Sequence, residues 1–184
     1  MAKVTQKAET KKVSTAKTET KRQHKPTAAM VVRQERTAVI VENQNKRKLL
    51  YVASECLPFI ATGGLADVAG SLPKFIAEND SNIDMRVVLP LYSDIPSQYR
   101  DNFEFVGKKD ISVAWRKLYL GVFKYKMNNV TYYFLDNEYY FKRDSLYGCY
   151  DDGERFAFFS KAVVDTLGYL QFFPDVVNCN DWQS

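Results

Sequence analysis

Histidine is almost absent from this 184-residue chain. The single histidine, His24, falls in an amino-terminal segment that also lacks glycine and every aromatic residue. Residues 47–184 therefore contain no histidine, which excludes from them a Ser-His-Asp triad, a Cys-His pair and a histidine-based zinc site. This is the strongest exclusion that the composition provides.

Cysteines and long apolar runs are also scarce. The three cysteines, Cys56, Cys149 and Cys179, form no C-x-x-C pair. We therefore expect reduced thiols that fill the core of a cytoplasmic protein, in place of a disulfide framework. The sequence has no stretch of 18 apolar residues and no secretory signal, so neither a membrane span nor a membrane partner is expected.

Acidic residues are few in the first quarter of the chain. Residues 1–46 carry eight Lys and three Arg against four Glu, whereas residues 47–184 carry 15 basic and 18 acidic side chains. A segment of this composition cannot bury enough apolar surface to offset its ordering entropy, so we predict a disordered basic tail over 1–46. A plastid transit peptide would suit its Thr and Lys, although its four Glu count against this. Nucleic-acid binding is not expected, because the tail has no aromatic ring to stack on a base.

Strands and helices alternate along the rest of the chain. Apolar runs predict three short buried strands, at 48–54, 85–90 and 175–179. Helical periodicity predicts two helices, over 65–78 and 154–170. The first would kink at Pro73, and its apolar face would consist of Leu65, Val68, Ala69, Leu72, Phe75 and Ile76.

The segments between these elements differ in character. Residues 91–100 suit a loop with a short helical piece. Aromatic and β-branched runs over 103–135 predict an antiparallel excursion of two or three strands, with a hairpin turn at Asn128-Asn129. Residues 136–152 predict a long loop, which is often functional, and Asp151 with Glu154 predicts a capping box for the following helix.

Two adjacent glycines, Gly63 and Gly64, lie between the first strand and the first helix. A helix amino terminus after a strand can bind a phosphate, and glycine lets that phosphate come close. The spacing fits neither a P-loop nor a dinucleotide fingerprint. Spacing alone leaves two interpretations open, an anion site and a tight strand–helix turn.

The segment L-Y-V-A-S-E-C-L-P-F-I-A-T-G-G-L-A-D-V-A-G-S-L-P-K-F, residues 50–75, resembles the amino-terminal signature of bacterial glycogen synthases and plant starch synthases. Three later segments agree in order: M-R-V-V-L-P-L-Y, then Tyr147 with D-D-G-E-R-F-A-F-F-S-K-A, and F-P-D-V-V-N-C-N-D-W-Q-S. The resemblance covers residues 48–184.

This resemblance implies an α/β fold, the Rossmann-like amino-terminal domain of a two-domain GT-B glycosyltransferase. Such enzymes transfer glucose from ADP-glucose to the non-reducing end of an α-1,4-glucan with retention, and they need no metal or other cofactor. Residues 47–184 would be part of the first domain. The chain would then be a fragment without its carboxy-terminal domain and without transferase activity of its own, because the family's catalytic histidine and second-domain Lys and Glu lie beyond the equivalent of Ser184.

Carried over position by position, the resemblance predicts a set of substrate-binding residues. They are Thr62, Gly63, Gly64, Leu65, Asp67, Tyr147 and Asp181. The glycines would face the diphosphate and Asp67 the sugar hydroxyls, while Asp181 is the one candidate for the catalytic cleft. Trp182 is interpreted as core and Arg155 as an internal ion-pair partner.

Two positions depart from the family's pattern. Ala61 stands where the family usually has a lysine that would offset phosphate charge, and Gln183 replaces a cleft histidine. These departures leave open a second hypothesis, a non-catalytic fragment that binds glucan or regulates a true synthase.

Overall fold

A computed structural model describes residues 46–184, so the tail predicted over 1–46 lies, apart from Lys46, outside the described residues. The described part contains six strands and four helices. The strands are β1 (Arg47–Val52), β2 (Ile83–Pro90), β3 (Glu104–Val113), β4 (Arg116–Met127), β5 (Val130–Asp136) and β6 (Val176–Cys179). The helices are α1 (Gly64–Asn79), α2 (Ser97–Arg100), α3 (Glu138–Phe141) and α4 (Asp152–Tyr169).

The six strands form one open mixed sheet in the order β3-β4-β5-β2-β1-β6. Strands β5, β2, β1 and β6 are parallel, and β3 and β4 extend them as an antiparallel hairpin. The predicted α/β fold is therefore confirmed, with one adjustment: β5 belongs to the parallel core, so only β3 and β4 form the excursion. Asn128 and Asn129 make the predicted turn at φ 51° and 61°, the positive values that a two-residue hairpin requires.

The connections run across the sheet in two directions. From β1 the chain passes through α1 to β2, whereas from β5 it passes through α4 and returns beyond β1 to β6. Right-handed crossovers in opposite directions place α1 and α4 on opposite faces of the sheet. The strand order reverses between β1 and β6, and in open α/β sheets ligands bind beyond the carboxyl ends of the strands at such a point.

Helix α1 buries a different face from the one predicted. Its buried residues are Ala66, Ala69, Pro73 and Ala77. Val68, Leu72 and Phe75, which the periodicity predicted to be buried, are exposed. The reason is close packing: a Cβ on Gly70 would lie 2.6 Å from the Leu57 carbonyl oxygen, so only small residues fit this face. The helix nevertheless runs through Pro73 without interruption.

The region between β5 and α4 also differs from expectation. The predicted loop contains the short helix α3, which Asn137 caps by accepting a hydrogen bond from the Tyr140 amide. The predicted capping box is wrong, because Asp151 makes no side-chain cap. Its carboxylate accepts a hydrogen bond from Arg143, and Glu154 is engaged by Arg116.

Cys56 is buried, as predicted, but Cys149 is only half-buried and Cys179 on β6 is exposed, so these two do not fill the core. The prediction of a buried strand over 175–179 is wrong: all four residues of β6 are exposed, because β6 lies at the edge of the described sheet and pairs there with β1 alone. None of the helices in residues 46–184 is both long enough and apolar enough to cross a membrane.

Candidate functional site

The candidate site lies at the carboxyl edge of the sheet, where four parallel strands end together. Ser54 and Glu55 follow β1, Tyr92 follows β2, and the segment Asn180–Gln183 follows β6. Because β1 and β6 flank the point where the strand order reverses, the predicted glycine loop and the predicted Asp181 are brought to the same edge. Asn180 fastens β6 there, since its side-chain amide donates to the Val52 carbonyl at 2.8 Å.

Glu55 fixes the loop that precedes the glycines. Its buried carboxylate accepts hydrogen bonds from both the amide and the hydroxyl of Thr62, the latter at 2.9 Å. Thr62 thus uses its hydroxyl to hold the loop in place. The sequence did not single out Glu55, although its position directly after a buried strand was a usable signal.

Gly63 and Gly64 are not required by the fold itself. Gly63 has φ −164°, an extended conformation open to any residue. A Cβ built on either glycine meets nothing within 4 Å, in contrast to the crowded Gly70. Gly63 caps α1 without a side chain, and Gly64 begins its first turn. The Ala66 amide donates to the Gly63 carbonyl at 3.2 Å. No hydrogen bond among the described residues engages the amides of Gly64 and Leu65, so these two can meet an anion. The tight-turn interpretation is therefore not supported by packing or by dihedral angles.

Tyr147 joins the β1 end of the site to the loop before α4. Its hydroxyl lies 2.7 Å from the hydroxyl oxygen of Ser54. Burial raises the pKa of Tyr147 to about 12, and the carboxylates of Glu55 and Asp181 add to this shift. Tyr147 thus lies beside the end of β1, and Asp181 follows the end of the neighbouring strand β6.

Five buried side-chain polar atoms have no partner among the described residues. Two of them follow strand ends at the candidate site, the Tyr92 hydroxyl and the Gln183 amide oxygen, and neither was predicted as a ligand. Burial raises the pKa of Tyr92 well above its ordinary value, and the neighbouring Tyr147 raises it further. A buried polar atom without a hydrogen bond costs about 1–3 kcal/mol. Both residues follow strand ends, so we count them among the candidate ligand contacts.

Arg155 supports the loop that carries Tyr147. Its guanidinium is fully buried and donates to the Tyr140 carbonyl at 2.8 Å, to the Leu146 carbonyl at 3.0 Å and to the Asp152 carboxylate at 2.6 Å. Its interpretation as an internal ion-pair partner is confirmed. Because Leu146 directly precedes Tyr147, this ion pair also fixes the position of the tyrosine.

The remaining predicted residues are more exposed. Asp67 is exposed in the first turn of α1, and Leu65 beside it is half-buried. Trp182 was interpreted as core, which is wrong: its side chain is 59% exposed, and its ring lies edge-on to Phe156 with 5.1 Å between centroids. An exposed tryptophan beside Asp181 adds a flat apolar surface to the site.

Ala61 is exposed at the start of the glycine loop. A longer side chain there would extend into solvent beside Gly63 and Gly64. Within residues 46–184, no three His, Cys, Asp or Glu side chains are grouped closely enough to hold a metal ion.

Comparison with known proteins gives consistent matches. A family described as "Starch synthase catalytic domain" matches residues 48–184. A glycogen synthase from Oceanobacillus iheyensis is 49% identical over 138 residues, which are 75% of this chain and 29% of that protein. A glycogen synthase from Clostridium beijerinckii is 53% identical over 137 residues, which are 74% of this chain and 28% of that protein. The chain thus spans a little over a quarter of the length of these curated relatives.

A solved structure shares the fold. The catalytic domain of starch synthase IV from Arabidopsis thaliana, bound to ADP and acarbose, superposes with a TM-score of 0.62 at 22% identity. The match covers 75% of this chain and 28% of that one. It agrees with the GT-B fold class that the sequence resemblance implied.

Proposed function

Because the chain belongs to the starch synthase catalytic domain family, we propose that it forms part of the donor-binding domain of a glucosyltransferase. In this proposal the full enzyme transfers glucose from ADP-glucose to the non-reducing end of an α-1,4-glucan with retention, in the cytoplasm and without a metal. The relatives are described as glycogen synthases, and a related starch synthase was solved with ADP and acarbose.

The observation that carries this proposal is the pair of glycines at the switch point. Neither Gly63 nor Gly64 is needed for backbone conformation or packing. Their small size matters only if another molecule comes close to the backbone. The helix start at Gly64 offers the amides of Gly64 and Leu65 and the positive end of a helix dipole, which suit the diphosphate of a nucleotide sugar.

The other residues would position the substrate around this contact. Glu55 holds the glycine loop through Thr62. Asp181 and Asp67 carry carboxylates that can accept hydrogen bonds from sugar hydroxyls. Tyr147 stays neutral at physiological pH, since burial raises its pKa to about 12, so it can donate as well as accept. The groups that act on the transferred glucose would come from the remaining length of the relatives, and we expect no transfer by this chain alone.

The test is ADP-glucose binding to the 184-residue chain, measured by titration calorimetry, with Gly64→Ala as the variant. A methyl group meets no protein atom there, and Ala is the better helix former, so stability should stay equal or rise by up to about 1 kcal/mol. Binding should weaken at least tenfold, about 1.4 kcal/mol.

Gly168→Ala is the matched control, since this helical glycine is equally uncrowded and lies in the last turn of α4. It should leave binding unchanged. Equal binding by the Gly64→Ala and wild-type chains would contradict the proposed donor contact.

A non-catalytic, glucan-binding or regulatory role is the second candidate. The exposed Ala61 favours it, because the loop lacks the cation that would offset the donor's charge. Glucan binding without measurable ADP-glucose binding would support this candidate over the first.

A further inference from the structure

A cleft of about 740 Å³ opens at the amino edge of the sheet, the edge opposite the glycine loop. It lies between the end of α1, the starts of β1, β2 and β5, and the end of β4 with the turn that follows it. Clefts of about 300–1,000 Å³ are of the size that holds small molecules. None of the residues predicted to bind substrate lines this cleft, which we call the amino-edge cleft.

The lining of the amino-edge cleft is more basic than the domain around it. Residues 47–184 carry 15 basic and 18 acidic side chains. Among the residues that line the cleft, four are basic and two are acidic, a balance of +2. The basic ones are Lys46, Arg86, Lys124 and Lys126, and the acidic ones are Glu78 and Asp84. Positive charge is therefore concentrated here within an otherwise acidic domain.

Two of these cations flank a hydroxyl group on one face of the sheet. Lys126 of β4 and Arg86 of β2 are both register partners of Thr131 in β5. Register partners on neighbouring strands point to the same face, and the strands lie about 4.8 Å apart. All three residues line the cleft. The Thr131 hydroxyl thus lies between an ammonium group and a guanidinium group.

Arg86 is held in position by three neighbours. Its guanidinium carbon lies 3.7 Å from the centre of the Phe172 ring. Its Nε and Nη2 donate to the Asp84 carboxylate at 3.2 Å and 2.8 Å, and its Nη1 donates to the Tyr133 hydroxyl at 3.0 Å. A guanidinium has five N–H donors, so two of them have no partner among the described residues. A guanidinium fixed in this way loses little entropy when it binds an anion.

Lys126 supplies charge that is not compensated nearby. It takes part in none of the ion pairs of the described residues. Lys124, two positions earlier, pairs with Glu104 at 2.9 Å. The exposed Asn128 and Asn129 also line the cleft, and their side-chain amides can both donate and accept hydrogen bonds. The cleft therefore combines positive charge with neutral hydrogen-bonding groups.

A small phosphate fits this combination better than a nucleic acid does. A phosphomonoester carries a charge of about −1.5 to −2 at pH 7, which matches the balance of +2, and guanidinium and ammonium groups are both suited to phosphate oxygens. A nucleic acid is held by many uncompensated cations and by exposed rings on which its bases stack. Among the described residues that line the cleft, Tyr133 is the single aromatic one, and it is buried.

We propose that the amino-edge cleft binds a phosphate dianion, either the free ion or the phosphate group of a small phosphomonoester. The phosphate lies over Thr131, between Lys126 and the two unengaged N–H groups of Arg86. This site is separate from the glycine loop, and its existence does not depend on the proposed function.

Nuclear magnetic resonance can locate the binding, because the ¹⁵N-labelled 184-residue chain gives separate amide signals for the cleft and for the glycine loop. Inorganic phosphate and ribose 5-phosphate, added at constant ionic strength, should shift the amide signals of Asn128, Asn129 and Thr131 saturably. Tighter binding of ribose 5-phosphate than of phosphate would identify a phosphomonoester as the ligand; otherwise the ligand is the phosphate ion itself.

Two results of this titration would overturn the proposal. The first is the absence of saturable shifts at Asn128, Asn129 and Thr131 with both small phosphates. The second is a set of shifts that a single-stranded oligonucleotide produces and neither small phosphate reproduces, which would favour nucleic acid as the ligand.

Lys126→Gln tests the contact itself. It should weaken phosphate binding about tenfold, as expected for the loss of a hydrogen bond to a charged group. Lys117→Gln is the matched control, because Lys117 is an exposed lysine of the same strand, takes part in no ion pair of the described residues, and lies near the other end of β4. It should leave phosphate binding unchanged. Equal weakening by the two substitutions would show a general effect of net charge and would refute the site.

The cleft and the donor site can be tested independently. Gly64→Ala should leave the shifts of Asn128 and Asn129 unchanged, and Lys126→Gln should leave the affinity for ADP-glucose unchanged. If donor binding is present and these shifts are absent, the cleft proposal is wrong and the proposed function stands. If the shifts are present and donor binding is absent, the cleft stands and the donor proposal fails.

Discussion

Replacing Arg155 by methionine should destabilise the domain far more than removing an exposed charge of the same helix. Arg155 is fully buried and makes three hydrogen bonds, two to loop carbonyls and one to the Asp152 carboxylate. Methionine has a similar length and no donor, so both carbonyls lose the arginine as a partner and the Asp152 carboxylate loses its counter-charge, keeping only the Gly148 amide at 2.7 Å. Breaking a buried ion pair in this way costs about 3–5 kcal/mol.

This loss is large compared with a total stability of about 5–15 kcal/mol for a typical domain. Each kcal/mol lowers the melting temperature by roughly 3–5 °C in a domain of this size, so we expect a fall of about 10–20 °C. Urea unfolding followed by far-UV circular dichroism measures the free energy directly, provided that the slope m is unchanged.

Lys161→Met is the matched control on α4. Lys161 pairs with Asp165 at 2.6 Å but is 45% exposed, and an exposed pair of this spacing contributes about 0.3–0.5 kcal/mol. A double variant, Arg155→Met with Asp152→Asn, should recover part of the loss because it removes the uncompensated charge. Equal losses for Arg155→Met and Lys161→Met would refute the view that this buried pair fixes the loop before Tyr147.

Two further predictions concern charge at the candidate site. Ala61→Lys should tighten ADP-glucose binding about tenfold, since a hydrogen bond to a charged group contributes about 1.5–3 kcal/mol. Ser81→Lys is the control: this exposed residue lies at the opposite edge of the sheet, so its replacement should leave ADP-glucose binding unchanged. Equal effects of the two substitutions would show that the position of the charge is irrelevant. Burial raises the pKa of Tyr147 to about 12, above the value of about 10 that a tyrosine has in an unfolded chain. The buried neutral phenol therefore contributes fully to the free energy of unfolding below pH 10, and this contribution is lost as pH rises towards 12. Urea titrations across this interval should show a smaller loss for Tyr147→Phe than for the wild-type chain, and identical pH profiles would contradict the burial of the phenol.

The sequence predicted three of the four parallel strands and the position of the glycine loop, because these depend on short-range patterns. Apolar runs mark β1, β2 and β6, and the paired asparagines mark the hairpin turn through their tolerance of positive φ. The roles predicted for Tyr147 and Asp181 stay predictions. Their places in the fold are Asp181 directly after the end of β6 and Tyr147 in contact with Ser54 after β1.

The failures share a physical origin in contacts with residues outside the segment whose pattern made each prediction. The face that α1 buries is decided by how closely Leu57 approaches Gly70, and not by which face carries the largest apolar residues. The expected capping box did not form because Arg143 and Arg116 compete for its two carboxylates. Tyr92 and Gln183 were missed as ligands because their burial depends on the completed sheet.

The pairing of β6 with β1 determines when the candidate site forms during folding. The contacts that join these strands link residues 127 and 128 positions apart, Lys48 with Asp175 and Val52 with Asn180. Contacts of such separation are slow to form, since a long loop must close before they contribute. The glycine loop and Asp181 come together only through this pairing. We therefore expect a chain in which β6 has not yet paired with β1 to lack the complete candidate site.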